Sequence, residues 1–170
     1  MADKYIIQDG GRLKENSATA ASTGATEAGK IVALDGTGKL DESLLPPGVG
    51  AEVKILPAYE ALVAGEFVNI FDDTGTLKVR KAIADSIGKE AHGYVLDAFA
   101  ETTDATVYIA GINNELSGLV GGPRMFLSAA SAGDATGTAP SGSGQIVQCI
   151  GQRLSATEIA FQPEAPIELL

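Results

Sequence analysis

From Ala51 onward, apolar and polar positions alternate in short runs separated by turn residues. Residues 66–72 (EFVNIFD) are dense in apolar and β-forming side chains and run into the turn signal DDTG. Residues 76–81 (TLKVRK) set Leu77 and Val79 against Lys78 and Arg80, the period-2 pattern of a half-buried strand. Residues 93–99 (GYVLDAF) and 105–111 (ATVYIAG) flank the polar turn ETTD and predict a hairpin. PRMFLS (123–128) predicts a further strand. QIVQCIGQRL (145–154) and TEIAFQP (157–163) predict a second hairpin around Ser155 and Ala156. SAGDATGTAPSGSG (131–144) is almost all turn formers and predicts a long exposed loop. ADSIGKEA (84–91) has room for one helical turn. Strands this short, with a turn roughly every ten residues, predict an all-β fold: a compact barrel or sandwich over residues 51–170.

Upstream the texture changes twice. Residues 1–28 are small and polar, as in NSATAASTGATEAG, and too poor in apolar side chains to offset the entropy of ordering. They predict a flexible arm. Residues 29–50 read GKIVALDGTGKLDESLLPPGVG. Ile31, Val32, Leu34, Leu40, Leu44 and Leu45 call for burial, yet glycines and a proline pair cut the segment into pieces too short to fold alone. Pro46 and Pro47 stop any strand, because proline lacks the donor and fixes its φ. Two readings stand on the residues: the segment is an anchor buried against another chain, or it packs on its own domain as a long linker. The chain thus divides into a flexible polar segment (1–28), an extended apolar anchor or linker (29–50) and a β-rich domain (51–170).

Composition narrows the classes. A chain of 170 residues, 45% hydrophobic, can bury one core, but it has no Trp and only five Phe and four Tyr, with 21 Gly. So few large aromatics predict that strands such as VNIF (68–71) and the end IELL (167–170) leave apolar surface for oligomerisation to cover. The net charge is −10. Residues 1–50 carry five Lys/Arg against seven Asp/Glu, and residues 51–170 carry seven against fifteen, so the β-rich part holds most of the negative charge. Such a body is repelled by nucleic-acid phosphates and by anionic membranes, and neither is expected as a partner. No run of eighteen apolar residues predicts a membrane span, and MADKYIIQDGG lacks the basic-then-apolar order of a secretory leader.

The candidate chemistry is thin. GTGK (36–39) has the end of a phosphate-binding loop, but that loop needs a glycine where Ala33 stands and Ser or Thr where Leu40 stands. Asp73-Thr74-Gly75 resembles the active-site triplet of aspartic proteases, which pair two such carboxylates across a two-fold axis. Asp72 departs from that pattern, and Asp and Gly are also what a turn between 66–72 and 76–81 asks for. His92 and Cys149 are each the single residue of their kind; a lone Cys in an apolar strand reads as a small core residue. The carboxylates form no calcium loop, and no aromatics interleave with Lys/Arg to stack bases. No catalytic residue, cofactor or metal is expected.

The text AGKIVALDGTGKLDESLLPPGVG resembles a phrase found in virion proteins of tailed bacteriophages, in the head-decoration and head-fibre group. EFVNIFDDTGTLKVRKA, GKEAHGYVLDAF, TVYIAGINNELSGL and APSGSGQIVQCIGQRLSATEIAFQP continue the resemblance, which covers about residues 28–163. It implies a non-enzymatic structural protein on the outer capsid surface of the virion. Such a protein is a homo-oligomer, most often a trimer, and binds the major capsid protein where capsomers meet. The anchor would then be Ile31, Val32, Leu34, Leu40, Leu44 and Leu45, with Pro46 and Pro47 setting the exit into the domain. A phage head or tail fibre, or a host-adhesion module, is the alternative, although the chain lacks shaft repeats beyond the echo of GKI and GKL. An aspartic-protease-like enzyme is the remote one.

Overall fold

The computed structural model describes residues 3–45 and 50–170. The chain separates into two compact units, Met1–Gly50 and Ala51–Leu170. Among the described residues there is no α-helix, and no helix is long and apolar enough to cross a membrane.

The first unit opens with an antiparallel hairpin of β1 (Lys4–Asp9) and β2 (Arg12–Ser17). Gly10 and Gly11 form its two-residue loop with φ of 60° and 77°, the left-handed pair that suits a tight hairpin. Ion pairs Lys4–Glu15 and Lys14–Asp9 cross between the strands. This hairpin lies within residues 1–28, where the composition predicts a flexible polar segment. Its Gly-Gly turn and cross-strand pairing are local contacts. The rest of the unit is two three-residue 3-10 turns, Ala25–Glu27 and Glu42–Leu44, joined by irregular chain. Thr19 ties the halves together: its N–H donates to Ile31 O at 2.9 Å, and its carbonyl accepts from Ala33 N at 2.8 Å.

The second unit contains β3 (Val53–Pro57), β4 (Phe67–Asp73), β5 (Thr76–Lys81), β6 (Gly93–Tyr94), β7 (Asp104–Tyr108) and β8 (Gly111–Asn113). It continues with β9 (Arg124–Leu127), β10 (Ala135–Thr136), β11 (Ile146–Val147), β12 (Cys149–Arg153), β13 (Ile159–Phe161) and β14 (Ile167–Glu168). Two five-stranded sheets carry the fold, in the orders β3-β7-β6-β4-β5 and β10-β9-β12-β13-β8, and β11 pairs with β14. Every ladder is antiparallel. Just beyond β3, Ala58 makes a parallel bridge to Val79 of β5, so the two ends of the first sheet's strand order meet.

Alternation along β4 explains the two cores. Phe67 points to one face of the first sheet, where it joins Tyr94, Met125, Leu127, Ile150, Ile159 and Phe161. Val68 points to the other, with Leu56, Leu62, Val79, Val95 and Val107. The first sheet is therefore buried on both faces, and the second closes over one of them. VNIF does not lie on the surface as expected: Val68 and Asn69 are buried, and Ile70 and Phe71 are half-buried. Ile167 and Leu170 are exposed, at 65% and 107%.

Three local expectations differ. The strand predicted over 93–99 stops at Tyr94; beyond it Val95 bonds to Gly65 and Glu66, and Phe99 bridges Leu62. Residues 84–91 form turns rather than a helical turn. Ile83 N donates to Lys89 O, and Gly88 sits at φ 88°, which ends any helix. The loop 131–144 is not wholly exposed. Gly133 is buried, and Ala135 and Thr136 pair with β9.

Candidate docking surfaces

Local hydrogen bonds, rather than a core, shape residues 29–45. Asp35 Oδ1 accepts from Thr37 N at 2.8 Å, Thr37 Oγ1 at 2.7 Å and Lys39 N at 3.0 Å. The Gly-Thr-Gly-Lys stretch is thus wrapped round a carboxylate and is not open to a phosphate. These donors, the Lys39 amide foremost and then the Thr37 hydroxyl, hold the Asp35 carboxyl below the ordinary aspartate range. Asp41 repeats the device at Glu42–Leu44, accepting from the Ser43 hydroxyl and amide, which likewise keep its carboxyl low.

The two tight turns throw the apolar side chains outward. Ile31, Val32, Leu34 and Leu40 are 55%, 48%, 58% and 51% exposed. Leu44 and Leu45 are half-buried, and Pro46 and Pro47 lie outside the described residues. Ile6 and Leu13 add to the exposed set, on one face of the β1–β2 hairpin, because Leu13 stands opposite Gln8 and Ile6 is two residues from Gln8. Sequence reasoning missed these two; the alternation on either side of the Gly-Gly turn carried the signal. Among the described residues of this unit, Thr19 alone is buried.

Among the described residues, the second unit has an apolar hollow of its own. Val53, Leu56, Ile70, Leu77 and Ile109 line an open cup of about 540 Å³, with Glu52 and Lys54 at its rim. Its floor is continuous with the core around Val68, since Leu56 belongs to that core and Ile70 and Ile109 pack on it. Leu77 on the wall is 49% exposed. A second hollow of about 470 Å³ holds Glu66, Glu115 and Asp134. Glu66 is already engaged there: Lys81 Nζ donates to one oxygen at 2.6 Å and Val63 N to the other at 2.8 Å.

The residues with catalytic associations each have local partners where they stand. Asp73-Thr74-Gly75 makes the β4–β5 turn, with Thr74 and Gly75 at φ 54° and 91°. Asp73 accepts from Lys78 Nζ at 2.6 Å, and Asp72 Oδ1 accepts from Gly75 N at 2.7 Å. His92 Nδ1 accepts from Ile70 N at 3.0 Å, beside the buried Asn69, which donates to Glu90 O. Cys149 is buried on β12, its thiol directed at Gly151 O at 3.8 Å. His92 and Cys149 thus have separate partners on separate elements. Among the described residues, no group of three or more His, Cys, Asp or Glu is placed to hold a metal ion. Comparison of the chain with protein-family models, with curated proteins and with solved structures finds no match.

Proposed function

We propose that this protein is a non-enzymatic virion component that decorates and stabilises the outside of a tailed-phage capsid as a homo-oligomer, a trimer in the first instance. In this reading residues 51–170 are the knob: a first sheet rolled towards a small barrel and faced by the second. Residues 29–50 are the anchor that the major capsid protein, or an adjacent copy, covers. One observation carries the reading. The described part of the first unit buries only Thr19, while Ile31, Val32, Leu34 and Leu40 stay about half exposed. A two-stranded hairpin with no core is marginal in water, so a partner surface is its natural source of stability. Each Leu or Ile fully buried on docking contributes roughly 1.5–3 kcal/mol. The net charge of −10 supports a position facing solvent, away from the packaged genome.

The test is the double change Leu44→Asp, Leu45→Asp, with binding to genome-filled heads and to isolated tails measured side by side. The parent is expected to bind heads at many sites, and the variant to lose that binding while keeping its circular dichroism and melting temperature. Parent protein that binds tails at few sites and ignores heads would instead make it a fibre or adhesion module.

A further inference from the structure

His92 is the single histidine of the chain, and its ring sits where only one protonation state fits. We propose that His92 is a proton-operated latch on the edge of β4. Neutral, the ring closes that edge at Ile70; protonated, it leaves the edge and pairs with Glu90. This goes beyond the proposed function and does not rest on it.

Beyond Val68, β4 has no β6 partner, because their ladder ends at the pairs Phe67–Tyr94 and Val68–Gly93. The next amide on that edge, Ile70 N–H, donates to His92 Nδ1 at 3.0 Å instead. Asn69 Nδ2 stands 3.4 Å from the same nitrogen and donates to Glu90 O at 2.8 Å. The Asn69 amide is fixed in this sense because its Oδ1 accepts from Arg80 Nε at 3.0 Å. Both neighbours of Nδ1 are therefore donors. Nδ1 must offer a lone pair, and the neutral ring carries its proton on Nε2. A second proton goes to Nδ1, where it meets the Ile70 N–H head on. Protonation and the His92–Ile70 bond exclude each other.

The other half of the device is a carboxylate short of partners. Glu90 Oε1 lies 3.9 Å from His92 Nε2, beyond hydrogen-bond range, and Glu90 Oε2 is buried with no hydrogen-bond partner among the described residues. An imidazolium that leaves Ile70 gives this carboxylate a charged partner. The other cations on the surrounding elements are engaged elsewhere: Arg80 with Asn69 Oδ1 and Gly88 O, Lys78 with Asp73, Lys81 with Glu66 and Lys89 with Asp85. On β4, Asp72 accepts from Gly75 N and faces away from this exchange. Arg80, bonded to the same Asn69, adds like-charge repulsion against an imidazolium in the latched position. The His92 side chain is 41% exposed, so protons reach it from solvent. Its main chain is held, with His92 N donating to Val68 O at 2.8 Å, so the ring moves while the backbone stays.

NMR of the isotopically labelled full chain tests this from about pH 8 to pH 5, where histidine changes charge and ordinary carboxylates stay mostly ionised. At the upper end the bare ring nitrogen should be Nδ1. As the ring takes up its second proton, the Ile70 amide resonance should move with it. Exchange protection of Ile70, corrected for the intrinsic rate, should fall about ten-fold or more. The Tyr59 amide, bonded to Val79 O, should keep its protection. His92→Asn places an oxygen where Nδ1 stood and takes up no proton, so Ile70 should stay protected throughout. Glu90→Gln removes the charge that receives the freed ring, so Ile70 should keep more of its protection at the acid end. A bare Nε2 at the upper end would overturn the inference. So would an Ile70 amide that stays still while the ring protonates, or a His92→Asn protein that loses Ile70 protection as steeply as the parent. The parent titration decides on its own should His92→Asn not fold.

Discussion

Gln148 holds Ala91 by both of its backbone groups: Ala91 N–H donates to Gln148 Oε1 at 2.7 Å, and Gln148 Nε2 donates back to Ala91 O at 3.0 Å. The amide stands in for a neighbouring strand between residues 57 apart in sequence. Nε2 also lies 3.2 Å from Glu164 O. Both residues are buried, at 2% and 1% exposure, so water cannot replace these bonds.

Gln148→Leu should therefore cost about 2–4 kcal/mol, since it leaves a buried N–H and a buried carbonyl unpaired. Urea unfolding of the full chain is the measurement. The midpoint should fall while the slope stays unchanged, the signature of lost stability without a change in exposed surface.

Two glycines with left-handed backbone should respond very differently to alanine. A Cβ at Gly151, φ 144°, would stand 2.0 Å from Ala160 O in the paired strand β13. Gly151 stands opposite Phe161 in the β12–β13 ladder, directly beside that carbonyl. Gly151→Ala should lose more than about 3 kcal/mol, because the obstacle is main chain rather than a flexible side chain. Gly75, φ 91°, has nothing within 4 Å of the same position, so Gly75→Ala meets only conformational strain of about 1–2 kcal/mol. Equal losses in paired melts would refute the distinction.

The 35–39 turn should loosen in acid. Asp35 has its folded-state pKa depressed, chiefly by the Lys39 amide and next by the Thr37 hydroxyl. Its contribution is fully present above the unfolded aspartate value of about 3.9 and is lost as the pH falls through the lower folded value. The amide resonances of Thr37 and Lys39 should move together in an NMR titration, with a midpoint below that reference. Asp35→Asn should abolish the shared movement. A midpoint at or above the reference would contradict the hydrogen-bonded geometry.

What the sequence revealed follows the range of the forces involved. Residues 76–81 read correctly because Leu77, Lys78, Val79 and Arg80 alternate and their partner strand is next door across Thr74-Gly75. β12 and β13 read correctly for the same reason. β3 was missed: Val53–Pro57 ends on a proline and pairs with β7, some fifty residues on. The run 93–99 misled because Val95 and Phe99 are apolar enough for a continuing strand. Their partners, Gly65, Glu66 and Leu62, are a distant segment that no local pattern marks. Leu34, Leu40, Leu44 and Leu45 stand out in the sequence because they are apolar in a stretch too broken to fold alone. The cup did not, because it exists only once three strands and the residue just past β7 bring Leu56, Ile70, Leu77 and Ile109 together.

Thr19 as the one buried residue described in the first unit has a thermodynamic corollary. The heat-capacity increment of unfolding comes mainly from apolar surface newly exposed to water, and a unit whose described apolar side chains are at most half-buried has little to expose. Its opening is expected to carry little curvature with temperature and no sharp endotherm, a gradual loosening spread over the scan. In a calorimeter the β-rich unit should dominate the signal. The hairpin and the segment after it acquire a heat-capacity signature only when another surface covers Ile31, Val32, Leu34 and Leu40, so a negative heat-capacity change on assembly reports the moment they become part of a core.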